Sequence, residues 1–69
     1  MIVIDKRWNT HLQAHEITYL ANSVADINAS ELDKNCAVGS AILVVAEGSM
    51  YLKNTDGVWQ VVGTGEVLE

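Results

Sequence analysis

From Val38 to Val62 the chain alternates between short apolar runs and turn residues, and this predicts three strands joined by two tight turns. Ala41-Ile42-Leu43-Val44-Val45-Ala46 is apolar on both faces. Glu47-Gly48 follows, with a glycine suited to the left-handed position of a hairpin loop. Ser49–Lys53 alternates, placing Met50 and Leu52 on one face and Ser49, Tyr51 and Lys53 on the other. Asn54-Thr55-Asp56-Gly57 reads as a second turn. Val58–Val62 returns with Trp59 and Val61 on one side. In hairpin order this β-meander leaves Ala41–Ala46 at an edge, where a doubly apolar strand with open backbone groups invites pairing. The Ile2-Val3-Ile4 run is β-branched and could cap that edge as a short strand; a neighbouring subunit could do the same.

Upstream, the pattern predicts a helix. Thr10 and Gln13 have capping-box spacing. Ile17, Leu20, Val24 and Ile27 then recur at intervals of three, four and three, the seam of an amphipathic helix. Such a helix would pack on its own sheet or form a bundle between subunits. Asn22 and Ser23 weaken its middle. Asp5–Asn9 reads as a loop, and Asn28–Asn35 as a turn or short helix. The expected architecture is a single α+β domain: an arm over 1–9, a helical region over 10–35, a three-stranded antiparallel meander over 38–62 and a tail over 63–69. Leu68-Glu69 has the look of a vector-derived scar and carries no weight.

Sixty-nine residues form at most one domain. A core of that size rarely supplies more than ~3–5 kcal/mol, so small proteins add disulfides, a metal or an oligomer interface. Cys36 is the only cysteine, which excludes an internal disulfide and suggests a reducing compartment. The composition, 49% hydrophobic, favours oligomerisation. A net charge of −5 lacks the basic footprint that nucleic acid or an anionic membrane requires. The longest apolar run is far short of the ~20 residues of a membrane-spanning helix, and no cleavage-site pattern follows Met1–Ile4.

Candidate chemistry is sparse. His11 and His15 would share a helix face, a spacing compatible with zinc, but two ligands are not a site and HExxH is absent. Cys36 lacks a nearby base and reads as a small buried hydrophobe. Asn28-Ala29-Ser30 is a chance-level glycosylation sequon. The acidic residues show no calcium-loop spacing, and the glycines precede no helix that could cradle phosphate. Tyr51 and Trp59 could form an aromatic platform, or serve as core or interface anchors. No enzyme, metal or cofactor follows from these residues.

Val38-Gly39-Ser40 before an apolar strand, Tyr51 after a short turn, and Gly57-Val58-Trp59 together resemble a pattern in small structural proteins of tailed bacteriophages and prophages. The likeness spans just over a third of the chain, and Ala37 stands where that pattern often has proline. It implies a head-fibre, decoration or fibre-base protein, often trimeric, assembled in the host cytoplasm, located in the virion and bound to capsid, tail or fibre proteins. The function expected is therefore structural and non-enzymatic, acting through homo-oligomerisation, with trimers favoured. Ile17, Leu20, Val24, Ile27, Ile42, Val44, Tyr51 and Trp59 are the interface candidates. The rival is a cytoplasmic adaptor or inhibitor that binds a host protein through a sheet edge or its acidic surface; a zinc-dependent regulator using His11 and His15 is a third.

Overall fold

The computed structural model describes Met1–Leu68 apart from the side chain of Ala29; Glu69, the end of the expected tail, lies outside the described residues. Five strands form one mixed sheet: β1 (Ile2–Asn9), β2 (Ala14–Ala21), β3 (Ala41–Val44), β4 (Ser49–Lys53) and β5 (Trp59–Val61). Their spatial order is their chain order, and every pairing is antiparallel except β2 with β3.

The expected N-terminal helix does not form, and the described residues contain no α-helix. Two patterns compete in this stretch, and the period of two wins. Ile17, Tyr19 and Ala21 alternate with Thr18 and Leu20, and the first three are buried while the other two are only half-buried. Ile-Thr-Tyr is β-branched and aromatic, a poor helix centre and a good strand. The helical seam was coincidental: Val24 lies exposed in a 3-10 turn, and Ile27 meets the core from a loop. Thr10 and Gln13 cap nothing. They sit in the hairpin turn between β1 and β2, where Asn9 Oδ1 accepts from the N–H of Leu12 at 3.0 Å and Gln13 adopts φ +50°.

The arm is also longer than expected. Asp5–Asn9, read as a loop, continues the strand begun at Ile2, with a bulge between Val3 and Asp5. The consecutive charges Asp5-Lys6-Arg7 hid it, as charges do on an edge strand whose side chains stay largely exposed.

The strand expected at Ser49–Lys53 forms over that span and those expected at Ala41–Ala46 and Val58–Val62 over slightly shorter ones, as three strands of five rather than as a three-stranded sheet. β3 is therefore not an edge. β2 pairs along it in parallel, from Thr18–Ala41 to Ala21–Val44, and this explains why the strand is apolar on both faces. The strand that covers Ala41–Val44 comes from the segment taken for a helix, and neither Ile2–Ile4 nor another chain is needed.

Joining parallel strands requires a long crossover, made here by residues 22–40. It carries two 3-10 turns, Val24–Asp26 and Ala29–Glu31, instead of a helix. Its Asn and Asp side chains draw off backbone donors: Asn28 Oδ1 accepts from Ser30 N–H and Asp33 Oδ1 from Asn35 N–H. The crossover lies over one sheet face, where Leu32 and Cys36 join Ile17, Tyr19, Ala21, Ile42, Val44 and Tyr51 in the core. Lys53 pins it down, since its ammonium donates to the carbonyls of Cys36 at 2.8 Å and Lys34 at 3.1 Å.

Candidate interaction surface

Among the described residues, none forms a layer over the second face of the sheet. Residues paired directly across neighbouring strands project to the same side. The register therefore assembles an apolar row from four strands: Ile2 opposite Leu20, Leu20 beside Leu43, and Leu43 opposite Met50. Val62 extends it, donating its N–H to the carbonyl of Met50 at 2.9 Å. A second row follows, Thr18–Ala41–Leu52–Gln60. Leu20, Leu43, Met50 and Leu52 are half-buried, whereas Ile2 and Val62 are 60% and 51% exposed. Two concavities open on this face. One, of about 650 Å³, is bordered by Leu20, Leu43, Met50 and Val62. The other, of about 640 Å³, is bordered by Leu52, Gln60 and the turn Val62–Gly65. Charge is confined to the β1–β2 end, where Asp5 Oδ2 accepts from Arg7 Nε at 3.0 Å and Arg7 lies opposite Glu16.

The sheet has one long open edge among the described residues. β5 is masked by the chain that follows it, with Val61 N–H bonded to the Glu66 carbonyl and Leu68 N–H to that of Trp59, both at 2.8 Å. β1 has no such cover. Ile17 N–H turns to Ser40 Oγ and the His15 carbonyl accepts from Ala37 N–H, so both residues direct their backbone groups toward β3. Their partners Lys6 and Trp8 accordingly direct theirs outward. The bulge near Ile4 and the charge of Lys6 guard this edge against indiscriminate pairing.

Of the residues expected at an interface, Ile17, Ile42, Val44 and Tyr51 are buried in the chain's own core. Ile27 and Trp59 pack against it, and Val24 sits apart in its turn. Leu20 is the one that faces the open side. Leu43, Ile2 and Val62 were missed, although the noted alternation of Met50 and Leu52 already marked that face. Leu43 was hidden because a doubly apolar run does not say which side is covered.

The other candidate sites do not assemble. His11 lies in the β1–β2 turn, while His15 meets the ring of Trp8 edge-on at 5.1 Å between centroids. No group of three metal-ligating side chains occurs among the described residues. Cys36 is buried, with Lys53 Nζ 3.7 Å from its sulfur. Trp59 stacks edge-on against Tyr19 at 6.3 Å rather than forming a platform with buried Tyr51. Gly48, Gly57, Gly63 and Gly65 serve turns at positive φ. Comparison with family models, with curated proteins and with solved structures returns no match.

Proposed function

We propose that this chain is a non-enzymatic structural protein whose role is to assemble, and that the open sheet face is its assembly surface. The observation that carries this reading is the row Ile2–Leu20–Leu43–Met50, extended by Val62 and left without a covering layer. A two-layer domain buries an apolar sheet face against a second layer; here the crossover supplies that layer on one side only. A copy of the chain, or another subunit, supplies it on the other. The setting proposed is a phage or prophage particle, as a decoration or fibre-base component held by capsid, tail or fibre proteins. That part rests on the likeness of Val38–Val62 alone.

Sedimentation equilibrium tests the reading. The wild-type chain is expected to form a trimer that Leu43→Lys dissolves, because a buried unpaired charge is costly. A stable monomer at millimolar concentration would overturn it. A second reading, an adaptor that adds a partner strand to the open edge of β1, is favoured by the outward backbone groups of Lys6 and Trp8. It predicts protection of those amides from hydrogen exchange in the complex.

A further inference from the structure

The bulge between Val3 and Asp5 interrupts the β1 ladder, and Asp5–Asn9 then runs unbroken to the turn. Pairing between β2 and β3 starts only at Thr18 with Ala41, so the rungs Trp8–His15 and Asn9–Ala14 of the β1–β2 ribbon project beyond the first residue of β3. Along this stretch Lys6 and Trp8 direct their backbone N–H and C=O groups away from β2. What pairs with such groups at every second residue is another extended backbone, so the class of occupant is a strand.

The side chains beside those groups differ between the two sides of the edge. Lys6 and Trp8 stand on one side, with their β2 partners Ile17 and His15. Neither partner is acidic, Lys6 makes no ion pair among the described residues, and Trp8 is 57% exposed. Asp5 and Arg7 stand on the other side, bonded to each other at 3.0 Å, with Glu16 opposite Arg7. One side therefore presents a free cation beside an exposed ring, while the other carries its own counter-charges.

A second copy of β1 fits this edge poorly. The outward groups fall on alternate residues, so two β1 strands pair antiparallel only with Lys6 or Trp8 opposite Lys6 or Trp8. Lys6 opposite Lys6 sets two cations together. Lys6 opposite Trp8 sets Arg7 opposite Arg7. Trp8 opposite Trp8 leaves only Arg7–Asn9 of each strand overlapping, too short a ladder to hold. Like charges directly opposite one another destabilise a sheet.

We infer that the Asp5–Asn9 edge receives an extended segment of a different protein, running antiparallel, with an acidic residue opposite Lys6 and an apolar residue opposite Trp8. Antiparallel pairing is the more stable per residue, and it places the apolar residue two positions before the acidic one. Main-chain bonds supply affinity and the apolar-x-acidic pattern supplies selectivity. This deepens the strand-addition reading above and rests on it.

The test is an NMR titration of the full chain with the end-blocked peptide Thr-Ile-Thr-Glu-Thr, which sets Ile opposite Trp8 and Glu opposite Lys6. At ~0.15 M salt, a Debye length of ~8 Å screens the chain's net charge of −5. Slowed hydrogen exchange is expected at the amides of Lys6 and Trp8. Replacing the peptide's Glu by Lys is expected to weaken binding on the order of fivefold. Lys6 is exposed, so Lys6→Glu keeps the fold, and this variant is expected to reverse the preference between the two peptides. Equal affinity of both peptides for wild type and variant would overturn the acidic partner and leave strand addition standing. Trp8→Ala binding as tightly as wild type would overturn the apolar position. No protection of Lys6 and Trp8 by either peptide at millimolar concentration would remove strand addition as well. Concentration-dependent protection of those amides in the peptide-free chain would instead make the occupant a second copy.

Discussion

The hydroxyl of Ser40 accepts a hydrogen bond from the backbone N–H of Ile17 at 3.1 Å and donates one to the carbonyl of Ala37 at 2.7 Å. Ser40 stands one residue before β3, where the parallel ladder with β2 has not yet begun, and its side chain supplies the acceptor that a strand would have supplied. The N–H of Ser40 also reaches the Ala37 carbonyl, at 3.1 Å. At 1% exposure, no water replaces this hydroxyl.

Ser40→Ala therefore strands the Ile17 amide in the interior. The expected cost is ~1–3 kcal/mol, large beside the net stability of so small a core. Thermal denaturation of the variant would show it as a drop of several degrees in Tm. An unchanged midpoint would mean that the Ser40 bond contributes nothing.

Tyr19 ties the crossover to the sheet. Its hydroxyl accepts from the N–H of Asp33 at 2.9 Å, and burial holds its pKa above the ordinary value of 10.0 despite that bond. A raised folded-state pKa gives stability that is complete below the unfolded value and is lost as the pH climbs through the folded one. Denaturant midpoints should thus fall more steeply above pH 10 in the wild type than in Tyr19→Phe. At neutral pH the variant should be less stable by ~0.5–1.5 kcal/mol for the lost bond. Parallel alkaline profiles would count against the assignment.

Asp26 behaves in the opposite sense. The backbone N–H of Asn22, bonded at 3.2 Å, and the N-terminal ammonium of Met1, at 3.1 Å, hold its carboxyl below the ordinary 3.8. Its contribution is present above the unfolded value and disappears as the pH falls through the folded one. Carboxyl carbon shifts followed by NMR should place its midpoint below those of exposed aspartates. Asp26→Asn should flatten the acid limb of the stability curve.

Gln13 holds φ +50° in the turn that launches β2, a region where side chains other than glycine are strained. Gln13→Gly should be neutral or stabilising by up to ~1 kcal/mol, against the usual penalty for added glycine. Chemical denaturation measures it; a loss of more than that amount would show that the Gln13 side chain contributes to the turn.

The half of the fold built from local pairing was legible beforehand. Ser49–Lys53 alternates cleanly, and both turns carry their glycines, so β4 and its neighbours could be placed to within a residue or two. The N-terminal half was misread because two periodicities coexist in residues 14–27. Sequence spacing alone does not weigh Ile17–Leu20–Val24–Ile27 against Ile17–Tyr19–Ala21. What weighs them is the presence of β3 as a parallel partner, a contact between residues some twenty positions apart. The eight-residue β1 was hidden for a related reason: Asp5, Lys6 and Arg7 are compatible with a strand only because both of its faces stay wet.

The sequence by itself determined a small acidic chain with one cysteine, without a basic footprint or a motif of catalysis, and with strands wherever alternation and turn glycines coincide. Those properties are local, or sums over residues, and need no contacts to be evaluated. Tertiary structure decided that Ala41–Val44 is central rather than marginal, that Ile42 faces the core while Leu43 faces outward, and that Trp8 stands on a projecting ribbon. The physical reason is that a strand's two faces are equivalent until something packs on one of them. The crossover over residues 22–40 makes that choice, and it leaves Leu20, Leu43 and Met50 on the face it does not cover.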